Sequence, residues 1–186
     1  MEYIAYPIAI GINLVLQALW FILPAYFANS SPVLGHKLFG EYNYPIDFGK
    51  KLKDGKRIFG EGKTWNGLFF GVAVAVIVGY AQSTIQASYQ MNGFLPMSIQ
   101  LAFLLGLGAL TGDLVKSFFK RRIGFERGQS LFPFDQIDFI LGAFLFSLIL
   151  VPFNCIYLAI LLIITPVIHW ATNYVGFKLK LKKEPY

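Results

Sequence analysis

Charge is missing from most of this chain. Residues 3–35, 64–112 and 139–177 contain no Asp, Glu, Lys or Arg. A helix at a soluble surface needs a charged or polar face, so apolar runs of that length exclude an ordinary globular domain. Cysteine is nearly missing too. Cys155 stands alone, which rules out an internal disulfide and leaves a small packing residue in the turn before the last apolar run. No basic region precedes the first apolar run. That run carries Glu2 and is too long before any small-residue cleavage site to be expected as a signal peptide.

What is present is hydrophobic: 56% of 186 residues, with a mean hydropathy of +0.57. Candidate membrane spans fall at 4–28, 66–87, 97–118, 136–153 and 155–176, each near the ~20 residues that a bilayer core requires. The spacing leaves no room for a separate soluble domain. The expected fold is therefore an all-α integral membrane protein with five transmembrane helices, forming a single domain over 1–186.

All 16 Lys and Arg residues lie in three blocks, 37–63, 116–127 and 178–183, following the first, third and fifth spans. The positive-inside rule makes those blocks cytoplasmic. The N-terminus is then outside and the tail KLKLKK inside, and the cytoplasmic loops are about 29–65 and 119–135. Every acidic residue except Glu2 lies on the same side or at its border. Chemistry is expected at the cytoplasmic face.

Within the first span, Pro7, Gly11, Asn13, Gln17 and Pro24 are expected to pack or hydrogen-bond against neighbouring helices. Asn29, Ser30 and Ser31 form a polar exit from it. The following loop is rich in glycine and charge, with Gly49, Gly55, Gly60, Gly62 and Gly67 among its cations. Loops of this length are commonly functional, and Asp54-Gly55 suggests a hairpin turn. The bland reading is a basic loop attracted to anionic headgroups. GEGKT, residues 60–64, is not a P-loop, because Arg57 stands where the first glycine belongs and no buried strand precedes it. It still offers turned backbone amides and a cation, Lys63, to an anion. In the last span His169 and Asn173 share a face, most simply as packed or hydrogen-bonded groups.

The segment GDLVKSFFKRRIGFERGQSLFPFDQID, residues 112–138, carries the densest chemistry. Ionisable residues at the ends of spanning helices are costly and usually mark function. If the third helix runs through residue 121, then Asp113, Lys116, Ser117, Lys120 and Arg121 share a polar arc about 140° wide. Phe118 and Phe119 then point away, toward lipid or other helices. Asp135 and Asp138 sit one turn apart at the start of the fourth helix, where the helix dipole favours carboxylates. They could be simple N-caps or partners of the nearby arginines. Three aspartates meeting at one mouth also suit Mg²⁺, which takes one or two carboxylates together with waters and substrate phosphate oxygens.

GDLVKSFFKR followed by PFDQID resembles the signature of the integral-membrane phosphatidate cytidylyltransferases, with Ser117, Lys120, Arg121, Pro133, Asp135 and Asp138 at matching positions. Asn29 and Pro32, the loop from Asp54 to Gly67 and the later aspartate block occur in the order of the small archaeal branch, the CDP-archaeol synthases. The chain lacks the extra N-terminal spans and the PGHGG run of the larger relatives.

The resemblance implies Mg²⁺-dependent transfer of CMP from CTP to 2,3-di-O-geranylgeranylglyceryl phosphate, an isoprenoid ether-lipid phosphate, with release of pyrophosphate. On that footing Asp135 and Asp138 are the main metal ligands, with Asp113 as a further ligand or just behind them. Lys116, Lys120 and Arg121 hold phosphates and Ser117 donates a hydrogen bond. Asn29, Arg57, Lys63 and Thr64 complete the nucleotide chamber. No nucleic-acid partner is expected; a homodimer is compatible with the sequence.

Two rivals remain. A CDP-alcohol phosphotransferase also uses aspartates and Mg²⁺, but its DG-x-x-AR and D-x-x-x-D elements are not found here. A non-enzymatic transporter or lipid-binding protein would show midplane charges or repeated halves.

Overall fold

A computed structural model of the chain describes residues 2–32, 35, 40, 43–126, 129, 131 and 134–178. Among them are five long helices and no named strand: α1 Glu2–Ser30, α2 Trp65–Tyr89, α3 Ile99–Arg122, α4 Phe134–Ser147 and α5 Cys155–Lys178. Arg127, Pro133 and the tail from 179 onward lie outside the described residues.

Local chemistry sets the helix ends. Thr64 caps α2, its hydroxyl oxygen accepting from the Gly67 amide at 3.2 Å. Ser98 caps α3 by accepting from Leu101 at 3.1 Å. Asn154 does the same for α5 through Tyr157 at 3.0 Å. Each satisfies an amide that has no partner within the helix. The expected span over 136–153 is shorter than foreseen, since α4 stops at Ser147. Pro152 disfavours helical geometry at Val151, and the amides of Leu150 and Val151 both turn back to the Ser147 carbonyl.

The helices interlock through missing side chains. The inward stripe of α2 is Gly67, Gly71, Ala75 and Gly79. A methyl on Gly71 would stand 2.9 Å from the Ala28 carbonyl oxygen, and one on Gly79 would overlap Ala102. The opposite side of α3 meets α4 still more closely. Methyls on Gly108 or Gly142 would each fall on the other's backbone carbonyl, and one on Gly112 on that of Asp138. Large side chains lie outside: Phe69 is 66% exposed, Ile77 66% and Tyr80 61%. Small residues inward and large apolar residues outward invert the pattern of a soluble helix and require an apolar solvent. α2 and α3 are each long and apolar enough to cross a bilayer.

α3 is central, packed on α1, α2 and α4, with a core of Phe21, Ile22, Leu101, Leu105, Phe139 and Ile140 at its heart. Polar links cross the bundle where polar atoms would otherwise lack partners: Gln82 Nε2 donates to the Trp20 carbonyl at 2.7 Å, the hydroxyls of Tyr26 and Thr165 pair at 2.6 Å, and Tyr157 donates to Gln17 at 2.8 Å. These bear out the expected hydrogen-bonding role of Gln17, which also donates to Asn13.

Candidate functional site

The loop between α1 and α2 folds around one carboxylate. The Asp47 side chain is fully buried and ion-paired to Arg57. It also accepts from the amides of Gly49 at 3.1 Å, Phe59 at 3.1 Å and Gly60 at 3.0 Å. Burial opposes its ionisation, but the Arg57 guanidinium and these amides outweigh burial and hold the carboxyl well below the usual carboxylate range. A group with a depressed folded pKa contributes stability above its unfolded value, about pH 4, and loses it only as pH falls through the folded value. The loop is therefore expected to keep its conformation on acidification from pH 7 to about 4. Asp47→Ala leaves three amides without their acceptor and Arg57 with only the exposed Glu61 at 3.5 Å, and is expected to cost the loop about 3 kcal/mol. Faster tryptic cleavage at Lys50, Lys51, Lys53 and Lys56 would report that loss; wild-type cleavage rates would contradict it.

The turn expected at Asp54-Gly55 is present. Gly55 has φ +74° and Lys51 bridges Arg57 antiparallel across it, although no strands develop. Arg122 at the end of α3 clamps this turn. It reaches both Asp54 oxygens at 2.8 Å and the Arg57 carbonyl, while Lys56 Nζ returns to the Arg122 carbonyl at 3.1 Å. Phe118 stacks under Arg122 at 5.3 Å and meets Phe59. One of the two phenylalanines expected to face lipid or another helix thus faces the loop.

At the level where α4 begins, cations and carboxylates alternate. Lys116 Nζ lies 3.1 Å from Asp113, 3.3 Å from Asp135 and 2.9 Å from Asp138. Lys63 reaches from the loop to Asp113. Lys120 sits 3.1 Å from both Asp135 oxygens and also donates to the Gln129 carbonyl. Three lysines therefore balance three aspartates. Asp138 is the least satisfied member: its side chain is 8% exposed, and Oδ1 is buried with no donor in hydrogen-bond geometry.

Beside this cluster an apolar groove of about 580 Å³ runs between α3 and α4. Val115, Phe119, Ile137, Leu141 and Leu145 line it, and among the described residues Lys116 and Asp138 are the charged ones in its wall. On the loop side, Arg121 faces a second cavity of about 580 Å³ with Lys56, Arg57 and Gly60, and its Nε is buried without a partner.

A model of the CarS-like family, CDP-archaeol synthase, matches residues 11–186. The chain is 46% identical over 174 residues to the CDP-archaeol synthase of Pyrococcus abyssi, covering 94% of this chain and 99% of that one. It is 47% identical to the CDP-archaeol synthase of Pyrococcus horikoshii, covering 94% and 98%. The chain belongs to the CDP-archaeol synthase family.

A solved structure described as an intramembrane enzyme for archaeal membrane lipid biosynthesis superposes with a TM-score of 0.73 at 33% identity, over 86% of this chain and 94% of that one. With the inverted surface of α2, this makes the present CDP-archaeol synthase family member a membrane protein.

Of the residues expected to form its site, Lys63, Asp113, Lys116, Lys120, Asp135 and Asp138 come together. Arg57 instead binds Asp47, Thr64 is the α2 cap, and Arg121 faces the separate loop-side cavity. Ser117 is buried next to Lys116, and Asn29 is half-buried at the end of α1.

Among the described residues, no three His, Cys, Asp or Glu side chains are arranged to hold a metal by themselves. The donor set nevertheless suits Mg²⁺, which needs only one or two carboxylates when phosphate and water supply the rest. The unsatisfied Asp138 oxygen is the donor such an ion would use. Sequence reasoning missed Asp47 and the groove. An Asp two residues before a glycine is the signal of a side-chain-to-backbone turn, whereas the groove residues look like any lipid-facing ones.

Proposed function

We propose that CMP is transferred from CTP to an isoprenoid ether-lipid phosphate where the lysine–aspartate cluster meets the apolar groove. Family membership makes the chain a CTP-dependent cytidylyltransferase that forms CDP-archaeol. The observation that carries the site is the groove wall itself: almost wholly apolar, with Lys116 and Asp138 as its charged members. A lipid with hydrocarbon in that groove would present its phosphate to Lys116.

The phosphate monoester is already ionised near neutral pH, so its oxygen can attack the α-phosphorus without a protein base. The new P–O bond forms as the bond to the β-phosphate breaks, and pyrophosphate leaves. The obstacle is bringing two polyanions together. Lys63, Lys116 and Lys120 counter that charge, Arg121 offers its guanidinium to the nucleotide from the loop side, and Ser117 donates a hydrogen bond. Asp135 and Asp138 would hold Mg²⁺, with Asp113 beside them orienting Lys63 and Lys116. When bound, the ion supplies charge neutralisation at phosphate oxygens. Thr64 borders the chamber beside Lys63, Arg57 shapes it through Asp47, and Asn29 would add a polar group from the end of α1.

The cluster lies where α2 and α4 begin and α3 ends, the side of the basic blocks. This supports a multi-pass membrane protein of one catalytic domain, 1–186, with five crossings, the N-terminus outside and the site open to the cytoplasm. Given CTP labelled in its α-phosphate and 2,3-di-O-geranylgeranylglyceryl phosphate, the protein is expected to move label into lipid with equimolar pyrophosphate. Transfer to the free lipid alcohol, or release of pyrophosphate with no label entering lipid, would overturn the reading.

A further inference from the structure

We propose that residues 44–53 form a second lipid-contact surface, separate from the groove, that binds the anionic headgroups of the surrounding bilayer and seats the loop upon it.

Three observations on one face lead there. Phe69 projects from the exposed side of α2, stacks on Trp65 at 6.0 Å, and Trp65 in turn lies 6.5 Å from Phe48 in the loop. The aromatic surface is thus continuous from the apolar-solvent side of the helix, around its first turn, onto the loop. Aromatic rings at a helix end mark the headgroup layer.

Phe48 is also 65% exposed, and its backbone has φ +48°. A left-handed conformation is uncommon for a bulky L residue. The neighbouring Gly49, at φ +79°, shows the residue type that such a turn favours. A loop in water gains nothing by holding a large ring outward at a strained position; a loop lying on a bilayer buries it. Tyr44, 61% exposed, is tied to the same place by its carbonyl accepting from the Trp65 amide at 3.0 Å.

Within residues 44–53 the exposed charge has one sign. Lys50, Lys51 and Lys53 are all exposed, whereas Asp47 is buried against Arg57 and the neighbouring Asp54, itself exposed, is held by Arg122. Apolar rings next to unopposed lysines fit an anionic interface, where each lysine strengthens binding by roughly fivefold. The groove is elsewhere: α3 meets α2 through Ala102 and Gly106 but meets α4 through Gly108 and Gly112, on its opposite side.

A nitroxide on Phe48→Cys, in full-length Cys155→Ser protein, tests this in nanodiscs of phosphatidylcholine with or without phosphatidylglycerol. Tyr44→Cys serves as a second label site, Phe69→Cys as the lipid reference, and Glu61→Cys, at a side chain 69% exposed beside the loop-side cavity, as the water reference. With phosphatidylglycerol, the label at 48 or 44 is expected to become oxygen-accessible and shielded from a water-soluble nickel chelate, approaching the Phe69 reference. Replacing Lys50, Lys51 and Lys53 with Gln is expected to weaken the seated state on the order of a hundredfold and abolish the dependence on anionic lipid. Labels that match the Glu61 reference in both lipids would overturn the proposal. So would labels that stay protected after all three lysines are neutralised, or protection that appears only with an added acidic peptide.

Discussion

Asp138→Asn is expected to lower pyrophosphate release about a thousandfold, in line with removing a buried group that acts on developing charge, while leaving a folded, detergent-stable protein. The amide has the same shape but no charge. Asp138 Oδ1 takes no hydrogen bond in the resting cluster, and Oδ2 meets only the Lys116 ammonium at 2.9 Å. Few contacts are therefore lost from the fold, while the least committed ligand for a cation is removed. A readout independent of turnover follows. Mg²⁺ is expected to raise the thermal midpoint of the wild-type protein in the presence of CTP, and much less that of Asp138→Asn. Wild-type pyrophosphate release by this variant, or an unchanged Mg²⁺ response, would remove Asp138 from the metal site.

The second large effect concerns the α3–α4 contact. Gly142→Ala places a methyl on the Gly108 carbonyl and 3.0 Å from Gly112 Cα. Both obstacles are backbone, which cannot rotate away as a side chain can, so the helices must separate. Overpacking of this kind costs about 3 kcal/mol, or on the order of 10 °C in a chain of this size. The damage extends to chemistry, because Gly112 sits against the Asp138 carbonyl and so fixes the spacing of Asp113 and Asp138. Turnover is expected to fall even below the melting transition. Gly11→Ala supplies the contrast, since nothing lies within 4 Å of a methyl there, and inside a helix it should be neutral or stabilising by up to about 1 kcal/mol. Equal melting temperatures for the two variants would show that the close approach is unimportant.

Lys63 shows how loop and bundle are joined. It leaves the glycine-bearing loop just before the Thr64 cap and pairs with Asp113, in the middle of a helix fifty positions later. The clamp of Arg122 on Asp54 fixes the same loop from the other side. The groups proposed to bind substrate on the loop and on α3 therefore share one scaffold, even though the loop has no strands of its own.

Hydrophobic length and the alternation of charge-free runs with basic blocks were enough to foresee the helices, because lipid imposes a one-dimensional rule: about twenty apolar residues for each crossing. The same holds for the aspartates and lysines of α3. Helical periodicity puts residues 113, 116 and 120 on one face wherever that helix packs, and the three do converge. What could not be read along the chain depends on which surfaces meet. Arg57 is drawn to Asp47 rather than to the cluster, and Arg121 turns to the loop cavity, because the loop folds onto the end of α3. The groove exists because Gly108, Gly112 and Gly142 bring two backbones together at one edge while Val115, Phe119 and Leu141 diverge beside it. A lone helix shows lipid-facing and groove-lining leucines alike; the difference arises when a second helix stands opposite.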